Sequence, residues 1–126
     1  MKKVLIVDDS RLFRGYLRQI LESNYLIVGE ADDGNSGFEL YKSTNPDMVL
    51  LDVTMPNCSG IECLEKILNF NDSANVIMVS SVSDISLVEE CIKIGAKGYI
   101  NKNNIRAFNS QQNKNVLEQL EKISGV

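Results

Sequence analysis

The sequence predicts an α/β domain in which a parallel sheet is wound on both faces by helices. Two observations carry that expectation. Short runs of apolar and β-branched residues alternate strictly with stretches of helical periodicity, and the runs are apolar almost throughout. A strand that is apolar on both sides must be covered on both faces, which is the condition of a parallel sheet between two helical layers. A third observation sets the scale: 126 residues with 44% hydrophobic content suffice for one core, and a single domain over 1–126 is expected, with no output domain attached.

The strands are expected at Lys3–Val7, Tyr25–Glu30, Met48–Leu51, Val76–Val79 and Gly98–Ile100. Between the first two, Phe13, Tyr16, Leu17, Ile20 and Leu21 recur at the spacing of a helix with one buried face. The second helix, after Asp33-Gly34, carries Phe38 and Tyr41 and ends at Asn45-Pro46, where proline stops continuation. Pro56 and Gly60 bound the next loop, and Ile61, Leu64, Ile67 and Leu68 form the third stripe. Val88, Cys91 and Ile92 form the fourth, closed by Gly95, and Val116, Leu120 and Ile123 the fifth.

Composition removes several function classes. There is no histidine, so serine- and cysteine-histidine nucleophile systems and most zinc sites are excluded. Cys58, Cys63 and Cys91 are an odd set without metal-ligand spacing and read as reduced thiols. A net charge of −4 offers no basic footprint for nucleic acid, and direct DNA binding is not expected. No apolar run reaches bilayer length and the N-terminus lacks a leader pattern, so a cytoplasmic protein without membrane insertion is expected.

In doubly wound sheets, sites gather beyond the carboxyl ends of the strands. The first strand ends in Asp8-Asp9, the third in Asp52, the fourth in Ser80-Ser81, and the fifth delivers Lys102. Singly, these residues have bland readings: Asp9 or Ser10 as a helix cap, Asp52 as a loop carboxylate satisfied by amides, Lys102 as a solvated charge. Together they are hard to dismiss. Two carboxylates about 4 Å apart repel by about 4 kcal/mol at an effective dielectric near 20, so the Asp8-Asp9 pair calls for a counter-charge.

The elements "VDDS" at 7–10, "LLDVTMPNCSG" at 50–60, "MVSS" at 78–81 and "GAKGYINK" at 95–102 occur in order over nearly the whole chain. In these the sequence resembles the receiver domain of two-component response regulators, and in length its single-domain, CheY-like members. The resemblance implies a flavodoxin-like (βα)5 fold with strand order 2-1-3-4-5. It implies that Asp52 accepts a phosphoryl group from a sensor histidine kinase or a histidine phosphotransfer protein. It further implies that Asp8, Asp9, Asp52 and the backbone carbonyl of Thr54 bind Mg2+, and that Lys102 pairs with the phosphoryl oxygens. Ser80 and Tyr99 match the hydroxyl and aromatic switch positions, with output to a downstream protein through the face of the fourth helix, fifth strand and fifth helix.

An ionised carboxylate needs no base at neutral pH, which reconciles phosphoryl chemistry with a chain lacking histidine. The chain would then be a self-phosphorylating acceptor, not a conventional enzyme. A relay that passes the phosphoryl group to another histidine is the alternative. An aspartate-nucleophile hydrolase would want a second aspartate two residues after Asp52, where Thr54 stands.

Three departures from the family are visible. Asn103 replaces the usual proline after Lys102, and since a cis bond to a non-proline residue costs about 3–4 kcal/mol, a trans or locally strained bond is expected. The amide-rich segment 103–113 is expected either as a loop pinned by Ile105 and Phe108 or as an early helix capped by Asn104. Thr54 and Val82, at positions that tune phosphoryl lifetime in the family, carry neither carboxylate nor amide, which predicts slow self-dephosphorylation.

Overall fold

Every expected strand and helix is present in a computed structural model of the chain, which describes residues 1–105 and 110–125. The order is β1 (Lys2–Val7), α1 (Arg11–Leu21), β2 (Tyr25–Ala31), α2 (Gly34–Thr44), β3 (Met48–Asp52), α3 (Gly60–Phe70), β4 (Val76–Ser80), α4 (Ile85–Ile94), β5 (Gly98–Asn101) and α5 (Ser110–Ser124). The strands pair in parallel in the order β2-β1-β3-β4-β5. This is the flavodoxin-like arrangement that the resemblance implies.

Alternation along the strands divides the core in two. Leu5, Val7, Val49, Leu51, Val76 and Met78 meet Tyr41, Leu64, Ile67, Val88 and Cys91 from α2, α3 and α4. Val4, Ile6, Met48, Leu50, Ile77 and Val79 meet Leu17, Ile20, Leu21, Val116 and Leu120 from α1 and α5. Because successive side chains point to opposite faces, the central strands β1, β3 and β4 bury both sides, which is why their runs are apolar throughout.

Local signals set the helix ends. The Ser10, Asp33 and Ser59 side chains accept the backbone N–H groups of Phe13, Ser36 and Glu62, closing the first turns of α1, α2 and α3. Ser10, not Asp9, is thus the cap of α1. Asn45 ends α2 in the left-handed region at φ 48°, and Gly95 ends α4 at φ 140° while donating to the carbonyl of Cys91.

Two expectations require correction. Ile92 is 42% exposed: α4 lies over the edge of the sheet, only Val88 and Cys91 are buried from it, and Ile92 faces an open groove shared with Ile85 and Tyr99. Asn104 does not cap an early helix, because Lys102–Asn104 forms a 3-10 turn and the next residue, Ile105, is extended. Ile105 is buried in the α1/α5 side of the core and pins the segment as expected, whereas Phe108 lies outside the described residues. All three cysteines are free and buried. No helix among the described residues is long and apolar enough to cross a membrane.

Candidate functional site

Register brings the strand ends level. Val7 pairs with Leu51, Asp52 with Val79 and Ser80 with Asn101, so the residues at or just beyond the ends of β1, β3, β4 and β5 lie at one edge. Parity then sorts them. Asp8 continues the Val4–Ile6 face and Asp52 the Met48–Leu50 face, both toward the start of α1, and Lys102 follows Ile100 on the same side. Asp8 and Asp52 are buried, Asp9 is exposed, and the three offer carboxylate oxygens that all lie within 4.8 Å of one another.

Lys102 supplies the counter-charge. Its Nζ lies 3.0 Å from Asp8 Oδ2 and 3.3 Å from Asp52 Oδ1. The Lys102–Asn103 bond is trans, and the lysine nonetheless reaches both carboxylates. The other oxygen of Asp8, Oδ1, accepts the backbone N–H of Ser10 at 2.9 Å. Burial, and then the neighbouring charge of Asp8, push the Asp52 carboxyl up to about 7 against the pull of Lys102. Burial alone would lower the pKa of Lys102, but Asp52 and Asp8 outweigh it and the ammonium is held more firmly than usual. One positive charge is shared by two buried carboxylates, so the site carries excess negative charge.

Close packing fixes the loop after Asp52. The backbone N–H of Gly60 donates to the carbonyl of Val53 at 2.9 Å, and a Cβ at Gly60 would collide with the backbone carbonyl of Asp52. Asn57 takes φ 67° to turn the chain back toward α3. Thr54 is exposed in this loop, two residues beyond Asp52.

Ser80 and Tyr99 stand apart from the ionic cluster. Ser80 is buried, shares parity with Val76 and Met78 on the opposite side, and its Oγ has no hydrogen-bond partner. Tyr99 is 41% exposed and lines the groove with Ile85, Val88, Glu89, Ile92 and Lys93.

Three neighbours of the site escape sequence reasoning. The Phe13 ring lies under the Lys102 ammonium, with Nζ 4.7 Å from the ring centroid. Arg14 donates to the backbone carbonyl of Asp8 at 2.6 Å and approaches Glu30 at 3.4 Å. Asn101 Oδ1 accepts the N–H of Asn103 at 2.9 Å, closing the turn that starts at Lys102. Phe13 fits the helical stripe and therefore reads as core, while Arg14 and Asn101 have no pattern that marks them.

The geometry has counterparts in known proteins. Residues 4–109 match the response regulator receiver domain. The chain belongs to that family. CheY of Thermotoga maritima is 37% identical over 98% of each chain, and protein CcdB of Bacillus subtilis is 46% identical over 81% of this chain and 86% of its own. Among solved structures, CheY from Borrelia burgdorferi in a complex with CheX, BeF3 and Mg2+ superposes with a TM-score of 0.83 at 36% identity, covering 97% of this receiver domain and 88% of that chain. Receiver domains carry an acidic pocket that takes Mg2+, and Asp8, Asp9 and Asp52 are such a pocket by position and by donor type. All three offer oxygen, the donor a hard cation prefers.

Proposed function

We propose that this CheY-like receiver is a phosphoacceptor whose nucleophile is Asp52. The observation that carries the reading is the pairing of buried Asp8 and Asp52 with Lys102 at 3.0 and 3.3 Å, with Asp9 completing an all-oxygen cluster of carboxylates. A carboxylate oxygen of Asp52 attacks phosphorus, a P–O bond forms, and the P–N bond to a phosphohistidine breaks with its electron pair leaving on the imidazole. The histidine belongs to the partner, a sensor kinase or phosphotransfer protein, as a chain without histidine requires. The attacking form is the ionised carboxylate: burial and the charge of Asp8 raise the metal-free Asp52 carboxyl to about 7, and a cation held at the site would displace the proton it retains.

Asp8, Asp9, Asp52 and the carbonyl of Thr54 are the groups that would hold Mg2+. The buried, like-charged pair Asp8 and Asp52 supports this, since one lysine leaves it undercompensated. Bound there, the cation supplies charge neutralisation for a transferring phosphoryl group. Lys102 supplies a second positive charge.

The phosphorylated aspartate would add about −2 charge and strong acceptors at the strand edge. Ser80, whose buried hydroxyl lacks a partner, is the donor suited to meet them, and Tyr99 beside the exposed Ile85 and Ile92 is the element suited to respond. Output then passes through the face of α4, β5 and α5 to a protein target. The test is incubation with acetyl phosphate and Mg2+. A mass gain of one phosphoryl group in the wild type, absent in Asp52→Asn, is expected; no gain in the wild type removes the reading.

A further inference from the structure

Lys102 is held by more than its two carboxylates. We propose that Phe13 is a positioning residue for Lys102, its ring face keeping the ammonium beside Asp52; the proposal rests on the reading of Asp52 as phosphoacceptor. The distance of 4.7 Å from Nζ to the ring centroid is well inside the range of about 6 Å over which a cation is attracted to an aromatic face.

The ring is itself fixed. Ser10 donates its backbone N–H to Asp8 Oδ1 at 2.9 Å and accepts the backbone N–H of Phe13 on its Oγ at 3.2 Å. One serine therefore ties the helix turn carrying Phe13 to the carboxylate that Lys102 pairs with. The ring makes a T-shaped contact with Tyr16, with centroids 6.1 Å apart and planes at 66°, and rests against the α1/α5 side of the core.

The ring does something the carboxylates cannot. Asp8 and Asp52 attract Lys102 through the same oxygens that a divalent cation would engage, and a cation there repels the ammonium. The aromatic face attracts the ammonium without occupying a carboxylate oxygen. A lysine has a long, flexible stem, so loss of both ion pairs without another contact would release it to solvent. Phe13 keeps Lys102 in place when the carboxylates turn to a metal.

Two kinds of measurement on the full chain test this. In the first, the Lys102 ε-methylene proton resonances are followed by NMR with and without Mg2+. Wild type and Phe13→Tyr should show them shifted upfield by the ring in both conditions, and Phe13→Leu and Phe13→Met should lose the shift. In the second, the rate constant of phosphorylation by acetyl phosphate at saturating Mg2+ is expected to fall roughly five- to tenfold in Leu and Met and to stay within about twofold in Tyr. Thermal melts select variants that fold, and Met serves if Leu does not. A lowered melting temperature with unchanged Lys102 resonances and unchanged rate would mean that Phe13 only packs, and overturns the proposal. So would a slower rate with the resonances unmoved. If the wild type is not phosphorylated at all, the reading of Asp52 fails, while the resonances still decide whether Phe13 holds Lys102.

Discussion

Asp52 and Lys102 lie 3.3 Å apart although Asp52 ends β3 and Lys102 follows β5, with β4 between those strands. A parallel sheet makes this contact possible, because it delivers every strand's carboxyl end to the same edge. The ion pair spans the width of a strand because the long lysine stem crosses over the end of β4. The same ammonium also serves Asp8 after β1, so one side chain ties three strand ends together.

Removing that ammonium leaves two buried carboxylates facing each other. Breaking a buried pair by deleting one partner typically costs about 3–5 kcal/mol, and the partial exposure of Lys102 and protonation of Asp52 reduce that here. In metal-free buffer, Lys102→Met should lose about 2 kcal/mol at pH 8 and clearly less at pH 6, where Asp52 takes up a proton instead. Urea unfolding at the two pH values checks this. An equal loss at both would show that the ammonium does not compensate the carboxylates.

The raised Asp52 pKa makes a second prediction with a definite sign. In the unfolded chain the group titrates near 3.8 and in the metal-free fold near 7, so the folded state holds a proton that the unfolded state gives up. The stabilisation from that proton is fully present below pH 3.8 and is lost as pH rises through about 7. Asp52→Asn cannot lose it. The variant should therefore be the more stable protein at pH 8, with the difference shrinking as pH falls toward 5. Mg2+ should displace the same proton, and calorimetry in two buffers of different ionisation enthalpy should register proton release near pH 7. Parallel stability profiles for wild type and variant would contradict the shift.

Ser80 presents the opposite case, a buried polar group with nothing to bond to. A buried unsatisfied hydroxyl costs about 1–3 kcal/mol, so Ser80→Ala should leave the unphosphorylated protein as stable as wild type or up to about 1 kcal/mol more stable. The loss should fall on the response: after acetyl phosphate treatment, the Tyr99 resonances should move in wild type and stay near their resting positions in Ser80→Ala. A destabilised variant with an intact Tyr99 response would mean that Ser80 serves the resting fold.

What was legible in the sequence follows from the period of the signal. Strands buried on both sides write themselves as unbroken apolar runs, so β1, β3 and β4 and the parallel sheet could be read directly. The ionic cluster is legible because parallel strands deliver their ends to one edge, so Asp8, Asp52 and Lys102 meet there, while Ser80 ends β4 at the same edge but faces the other side of the sheet. Periodicity cannot show which flank of a helix finds a neighbour, and Ile92 was therefore misplaced on an edge helix whose outer side is open. Phe13 illustrates the converse: an aromatic in a core stripe gives no sign that its face meets a cation from a residue 89 positions away in the chain. Arg14 and Asn101 act on backbone groups, and backbone partners leave no trace in side-chain patterns.

The turn after β5 supports a last prediction. With asparagine at 103, the geometry that follows Lys102 is set by the Asn101 side chain, which accepts the Asn103 N–H at 2.9 Å, and by the Ile105 N–H, which donates to the Lys102 carbonyl at 3.0 Å. Short polar side chains that accept a backbone N–H two residues on stabilise such turns, and losing one costs about 1 kcal/mol. Asn101→Ala should thus lower stability by about 1 kcal/mol in urea unfolding. It should also slow phosphorylation of Asp52 by acetyl phosphate, because the lysine stem loses the turn that aims it. Asn101→Asp keeps the acceptor oxygen and should retain most of the stability. It also adds a negative charge near Lys102, so its phosphorylation rate should be the more sensitive to salt. If Asn101→Ala matched the wild type in both stability and rate, the Asn101 side chain would not be needed to aim Lys102 into the site.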